Sequence, residues 1–335
     1  MARFSSCHRL GTLFKHISHN SQHLKAETNI KSSSSRSMHT FLAVAQTRGS
    51  PLFDLEERCK LTSITRNLSR PSARHISSLK QRVNGIDIHY EKTGEGDHPV
   101  LLMPGALGCA RTDFEHQLNG LSREKYTIIA MDPRGYGKSR PPDRDWPVNF
   151  LQRDAEDAAA LMKALSFPRY SILGWSDGAN STMILSGANP GNVISLVIWG
   201  GNSYVSDHDM KLYKAIENLE KWSPRMKQPF VDLYGEEYFQ RMWAGWCNVQ
   251  REIFNKRNGD ICIGSLPNIK CSTLLVNGVK DALVPQEQPL FLQKHIVNCR
   301  MVNWPEGKHN LHIRYSKEFN ALAEEFLDKE FSQQL

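Results

Sequence analysis

Gly174-Trp175-Ser176-Asp177-Gly178 is a glycine-x-serine-x-glycine pentapeptide set between the apolar run 171–173 and a helix-compatible segment, 179–186. A serine hydroxyl is a weak nucleophile until a tight strand-to-helix turn lifts it off a sheet edge and holds it beside a base. Glycines on either side let the backbone pass without steric conflict. The base in turn needs an orienting carboxylate. Downstream, Asp281 follows the apolar run 273–276, within Gly278-Val279-Lys280-Asp281-Ala282-Leu283-Val284-Pro285. His309 follows the run 301–304, within Gly307-Lys308-His309-Asn310. Both positions lie at the carboxyl ends of expected strands, where open sheets of parallel strands place their ligands. We therefore read Ser176 as nucleophile, His309 as base and Asp281 as its orienter. Asp260 is the alternative carboxylate, His312 the alternative base, and a helix N-cap the alternative role for Asp281.

An acyl-transfer site also needs two backbone N–H groups for the oxyanion. One is expected from Asp177, which follows the nucleophile. The other is expected from the loop Pro104-Gly105-Ala106-Leu107-Gly108, with Ala106 as the donor. Trp199, Gly200, Gly201 and Asn202, which end or follow the run 193–199, are expected to line the pocket for the acyl group.

These residues require a scaffold, and the chain spells one out. Ile86, Ile88 and Tyr90 alternate with polar residues after an Asn84-Gly85 hairpin signal. Continuous apolar runs at 100–103, 126–131, 193–199, 272–276 and 301–304 suit buried strands. Leu151, Ala155, Ala158, Leu161, Met162 and Leu165 form one helical stripe, and Phe319, Leu322 and Phe326 another. Strands alternating with helices predict a mostly parallel sheet covered on both faces, beginning near Leu79. Residues 203–265 break the rhythm with helix formers and aromatics, and we expect a small helical cap there. The domain boundaries are then 1–77 for a leader and 78–335 for the folded unit.

The net charge of +7 comes from that leader: residues 1–80 carry 13 Lys/Arg against 4 Asp/Glu, and the remainder 29 against 31. A basic stretch rich in serine, with Glu27 the only acid among the first 53 residues, matches an organellar transit segment, and mitochondrial import is expected. The near-neutral remainder gives no reason to expect nucleic-acid binding. No apolar run reaches the roughly 18 residues of a membrane span, so membrane insertion is not expected. The seven cysteines form no C-x-x-C pair and fit a reduced chain without a zinc site. The His-x-x-His of His309 and His312 has no further ligands near it in sequence, so no metal or organic cofactor is expected.

Four stretches carry a family resemblance: residues 174–178, Asp132-Pro133-Arg134-Gly135-Tyr136-Gly137, residues 141–145, and Pro305-Glu306-Gly307-Lys308-His309-Asn310-Leu311-His312. Together they resemble the valacyclovir hydrolase, or biphenyl hydrolase-like, family of α/β-hydrolases, from about Val83 to Leu327. The order Ser, Asp, His is also the α/β-hydrolase order. The resemblance implies an α/β-hydrolase fold and a mitochondrial serine hydrolase acting on α-amino-acid esters, ester prodrugs such as valacyclovir included, with homocysteine thiolactone a further candidate. It carries over Ser176, His309 and Asp281 in the roles given above, and Asp177 as the holder of the substrate's α-ammonium. Ala179 stands where a further glycine is expected, and Pro104 where many hydrolases have histidine. The motif around Asp132 and Arg134 reads as architectural.

The expected protein is thus a monomer acting on a small-molecule ester. The rival enzyme readings are a general carboxylesterase and a carbon–carbon bond hydrolase on the same triad; a dehalogenase would have aspartate as its nucleophile. The rival from another class is a hydrolase fold used only for binding, which an intact triad argues against.

Overall fold

The computed structural model of the chain describes residues 75–333. The expected leader lies outside these residues apart from its last three positions. Strand β1 (Ser77–Val83) already begins within that expected leader, two residues before Leu79. It forms an antiparallel hairpin with β2 (Ile86–Thr93) through Asn84 and Gly85, both at positive φ (46° and 81°). That is the turn geometry whose twist matches the flanking strands.

The remaining strands are β3 (His98–Met103), β4 (Tyr126–Met131), β5 (Tyr170–Trp175), β6 (Val193–Trp199), β7 (Ser272–Gly278) and β8 (Cys299–Trp304). The sheet order is β1-β2-β4-β3-β5-β6-β7-β8. β2 meets β4 antiparallel, and every later pairing is parallel. Strands β3, β4 and β6 are buried along their whole length, which is why their sequences are predominantly apolar, with His98, Thr127 and Ser195 the buried exceptions.

Nine helices follow in chain order among the described residues: α1 (Ala110–Gly120), α2 (Phe150–Ala164), α3 (Asp177–Ala188), α4 (Asp207–Ile216), α5 (Pro224–Tyr234), α6 (Glu236–Lys256), α7 (Glu287–His295), α8 (Leu311–Arg314) and α9 (Ser316–Ser332). Alternation along the strands splits the core. Leu101, Met103, Ile172 and Ile198 face α2, α3 and the cap, while Val100, Leu102, Leu173, Val197 and Trp199 face α1 and α9.

Helices α4 to α6 form the expected cap. Its base is closed by the Tyr204–Asp260 bridge and by the Val205 N–H donating to the Gly259 carbonyl at 2.8 Å. Its interior is aromatic: Trp222 meets Trp243 edge-on at 4.8 Å between centroids, Phe230 stacks on Phe239 at 5.2 Å, and Trp243 stacks on Trp246 at 5.0 Å. Beneath the cap, Arg144 is fully buried and paired through both nitrogens with Asp154 at 2.7 Å.

Helix α1 was not anticipated from sequence. Its inner face alternates the short apolar row Ala110, Phe114 and Leu118 with buried Asp113 and Gln117, which weakens the stripe that would announce it. Asp132 is architectural, as read: its carboxylate accepts from the Ala110 amide at the start of α1, from the Lys138 amide and from His89, each at 2.8 Å. Arg134 pairs with Asp157 at 2.7 Å.

Candidate active site

β5 runs straight into α3, and the turn between them puts Ser176 at φ 56° and ψ −124°. A non-glycine residue in that region is strained and is held by its surroundings. The Ser176 amide donates to the Trp199 carbonyl at 3.0 Å. A Cβ on Gly178 would collide with the Met103 carbonyl, and one on Gly174 would sit 2.5 Å from Thr182 Oγ1. The motif glycines thus allow the elbow to press against the end of β3.

The triad residues converge from three strand ends. Ser176 Oγ lies 3.1 Å from His309 Nε2, and His309 Nδ1 lies 2.9 Å from Asp281 Oδ2. Asp281 Oδ1 accepts from the Leu283 and Val284 amides at 2.8 and 3.1 Å, which fixes the carboxylate in its loop. The His309 carbonyl accepts from the Trp175 indole at 2.8 Å. Beside both stands Gly200 (φ 61°), where a Cβ would lie 3.0 Å from His309 Nδ1 and 3.4 Å from Trp175 Nε1. The loop holding the base is therefore pinned from the elbow strand and from the end of β6.

The alternatives weighed from sequence have other work. Asp260 accepts from the Ile263 amide at 2.9 Å. His312 is wholly buried: the Trp199 indole donates to its Nδ1 at 3.0 Å, so Nε2 carries the proton and donates to the Asp113 carbonyl at 2.9 Å. Burial pushes its pKa down to about 3, and the ring is neutral.

The loop after β3 wraps around the Asp113 carboxylate. Asp113 Oδ2 accepts from the Gly105 amide at 2.9 Å, and Oδ1 accepts from Thr112 Oγ1 at 2.7 Å. Gly108 is obligatory, because a Cβ there would overlap the same carboxylate. The cap reaches this loop through Tyr234, whose hydroxyl donates to the Leu107 carbonyl at 2.9 Å and accepts from the Gly137 amide at 3.0 Å. A Cβ on Gly105 would lie 3.1 Å from Ser176 Cβ, so the loop abuts the nucleophile. The Ala106 and Asp177 amides have no protein acceptor among the described residues.

Asp177 sits at the first turn of α3 with 8% of its surface exposed. Its Oδ2 accepts from the Trp246 indole of α6 at 2.8 Å. Its Oδ1 takes no protein donor among the described residues and is not sealed from solvent. Burial raises its pKa from 3.8 to about 6, against the opposing pull of the Trp246 N–H and the Arg144 charge.

Two expected pocket residues stand elsewhere. Trp199 does not line a pocket: strand alternation sends it to the α1 and α9 face, where it is fully buried against Phe319 and donates to His312. Gly201 packs beneath α3, where a Cβ would come 2.7 Å from Ala179 Cβ and 2.9 Å from Asn180 Oδ1. Asn202 is buried and bonded to Asn180 and the Tyr204 carbonyl, and Gly200, expected from sequence with the others, is the residue of this segment that touches His309. Sequence reasoning missed Asp113, and it expected a minority of the cap aromatics to line the pocket without singling out Tyr234 or Trp246. A carboxylate on an unrecognised helix and two members of an aromatic-rich block carry no local signal.

The family model for the α/β-hydrolase fold matches residues 98–244. Serine hydrolase BPHL of Homo sapiens is 48% identical over 252 residues, covering 75% of this chain and 87% of that protein. The Mus musculus protein of that name is 45% identical over the same shares. A 2-hydroxy-6-oxononadienedioate/2-hydroxy-6-oxononatrienedioate hydrolase 2 of Pseudomonas putida is 27% identical over 79% of this chain and 99% of its own. Among solved structures, the meta-cleavage product hydrolase CumD from Pseudomonas fluorescens IP01 superposes with a TM-score of 0.63, at 19% identity, over 75% of this chain and 97% of its own. With the elbow, the strand order and these relatives together, the chain belongs to the α/β-hydrolase family, in the group of serine hydrolase BPHL.

Proposed function

We propose that this chain hydrolyses α-amino-acid esters, ester prodrugs of the valacyclovir type included, through an acyl-enzyme on Ser176. His309 Nε2 takes the proton from Ser176 Oγ as the hydroxyl attacks the carbonyl carbon, and Asp281 holds the imidazole in the tautomer that can accept it. The Ala106 and Asp177 amides receive the oxyanion. His309 then protonates the leaving alcohol, and a water molecule deprotonated by the same ring releases the acid. The chemistry draws only on side chains and amides of one chain. It needs no metal or organic cofactor, and a monomer suffices.

One observation carries the choice of substrate: a buried carboxylate, Asp177, adjoins the nucleophile and keeps one oxygen open. A cation on the carbon next to the scissile carbonyl would pair with it in a setting where screening by water is weak. The rival carbon–carbon hydrolase reading has support in the Pseudomonas putida relative, whose name gives a dioate substrate. A dianion would be repelled by the Asp177 carboxylate, and the amino-ester reading is preferred on that ground.

The test is turnover of L-valine p-nitrophenyl ester beside its N-acetyl form by the full chain and by Ser176→Ala. Wild type should favour the free amine, and Ser176→Ala should be inert toward both and refractory to a fluorophosphonate probe. Equal rates on the two esters would move the reading to a general carboxylesterase. The basic, serine-rich leader supports import into mitochondria. A fluorescent protein fused after residue 77 should co-localise with a mitochondrial dye, and a cytosolic signal would refute that address.

A further inference from the structure

We infer that Trp246 is the positioning residue for the ammonium site, so that selectivity for a free amine is a property of how the cap seats on the nucleophile elbow. The inference rests on the α-amino-ester reading above and adds to it a residue and an element.

Trp246 is 6% exposed and lies on α6, about seventy positions from the elbow in sequence. Its indole N–H meets Asp177 Oδ2 at 2.8 Å. An indole has one donor and no acceptor, so the contact has a single polarity: it can hold only an acceptor, and it holds an anion best. With Oδ2 taken, rotation of the carboxylate is fixed and Oδ1 is left as the oxygen open to a substrate cation. The indole is itself clamped. Trp243 stacks on one side at 5.0 Å between centroids with planes 12° apart, and Tyr213 of α4 meets it edge-on at 5.0 Å. Tyr213 leads on to Asn202, whose amide accepts from Asn180 and donates to the Tyr204 carbonyl, so the clamp is tied to α3 itself.

The charged and titratable groups that act on Asp177 come from several elements. Arg144, on the segment before α2, pairs with Asp154 of α2; His309 is in the base loop; Tyr136 and Tyr213 lie on the cap side. Arg144 is committed to Asp154 through both terminal nitrogens, and none of these groups bonds the Asp177 side chain directly; among the described residues only the Trp246 indole does. Loss of the indole N–H therefore removes the one direct donor to the Asp177 side chain among the described residues. The carboxylate should then ionise at higher pH and sample more than one rotamer.

The experiment compares Trp246→Phe, Asp177→Asn and the double variant in the full folded chain, each checked by its thermal melt. The readout is the ratio of kcat/KM for L-valine p-nitrophenyl ester over its N-acetyl form, from pH 5 to 8. For Trp246→Phe the ratio should fall roughly tenfold, mostly through KM, and its acid limb should move to higher pH. In the Asp177→Asn background the same change should have no further effect on the ratio. If Asp177→Asn collapses the ratio while Trp246→Phe keeps the wild-type ratio and acid limb, the inference is overturned and the ammonium reading survives. If neither variant alters the ratio, the ammonium reading itself falls. A lower ratio for Trp246→Phe that is simply additive with Asp177→Asn marks general cap damage and overturns the inference too.

Discussion

At the residue scale, Asp177 is asked to be ionised where ionisation is costly. Its folded pKa lies near 6 against 3.8 for a free side chain, because burial outweighs the Trp246 and Arg144 contributions. Between those values the folded chain holds a proton that the unfolded chain has released. The charged form therefore weakens the fold above about pH 6, and the penalty fades as pH falls from 6 toward 4. Asp177→Asn keeps an oxygen for the Trp246 indole and removes the charge. We expect it to be more stable than wild type by about 1–3 kcal/mol at pH 7.5, with the advantage gone near pH 4. Urea unfolding at the two pH values measures this, and a variant less stable at pH 7.5 would contradict it. The same ionisation gives function its acid limit: preference for the free amine should be greatest near pH 7, where Asp177 is charged and the substrate is still an ammonium, and decline as pH falls through about 6. The pentapeptide made Ser176 and Asp177 legible in the sequence, and the apolar runs before Asp281 and His309 did the same for those two. Asp177's partner was not legible, because Trp246 is one of several tryptophans in a block where most serve the cap's own core.

At the scale of elements, the strand runs were easy to read and the loop after β3 was not. Runs such as 126–131 are buried on both faces and admit few other assignments. The loop is shaped by Asp113, a carboxylate on a helix whose buried face is partly polar, and its glycines answer to that carboxylate. Asp113→Ala removes the acceptor of the Gly105 amide and should lower kcat roughly tenfold or more with a smaller change in KM, since it loosens the backbone proposed to receive the oxyanion. An unchanged kcat would show that Ala106 is held without it. Trp199 was misjudged for a geometric reason: being last in β6 placed it near the site in sequence, but alternation turned its side chain to the far face. Trp199→Phe leaves His312 Nδ1 without its donor and should cost about 1–3 kcal/mol in a chemical-denaturation experiment, with the preference among acyl side chains unaltered. A changed acyl preference would restore Trp199 to the pocket.

At the scale of the molecule, the cap and the sheet domain share their polar anchors. Tyr234 holds the loop after β3, Tyr238 accepts from the Arg144 amide at 2.8 Å and donates to the Gly135 carbonyl at 3.1 Å, and Trp246 holds Asp177. Below them, the buried Arg144–Asp154 pair supports the segment that Tyr238 grips. Asp154→Ala would leave a guanidinium charge buried without its partner, a loss of about 3–5 kcal/mol that should appear as a markedly lower melting temperature. A melt matching wild type would mean the segment rearranges to hydrate Arg144. The central claim is that a carboxylate beside the nucleophile reads the substrate's ammonium. Its most direct test is the ratio of kcat/KM for L-valine p-nitrophenyl ester over the N-acetyl ester, in wild type and in Asp177→Asn at pH 7.5. The account predicts a wild-type ratio well above one that falls roughly 30-fold or more in the variant; a ratio that is the same in both proteins would contradict it.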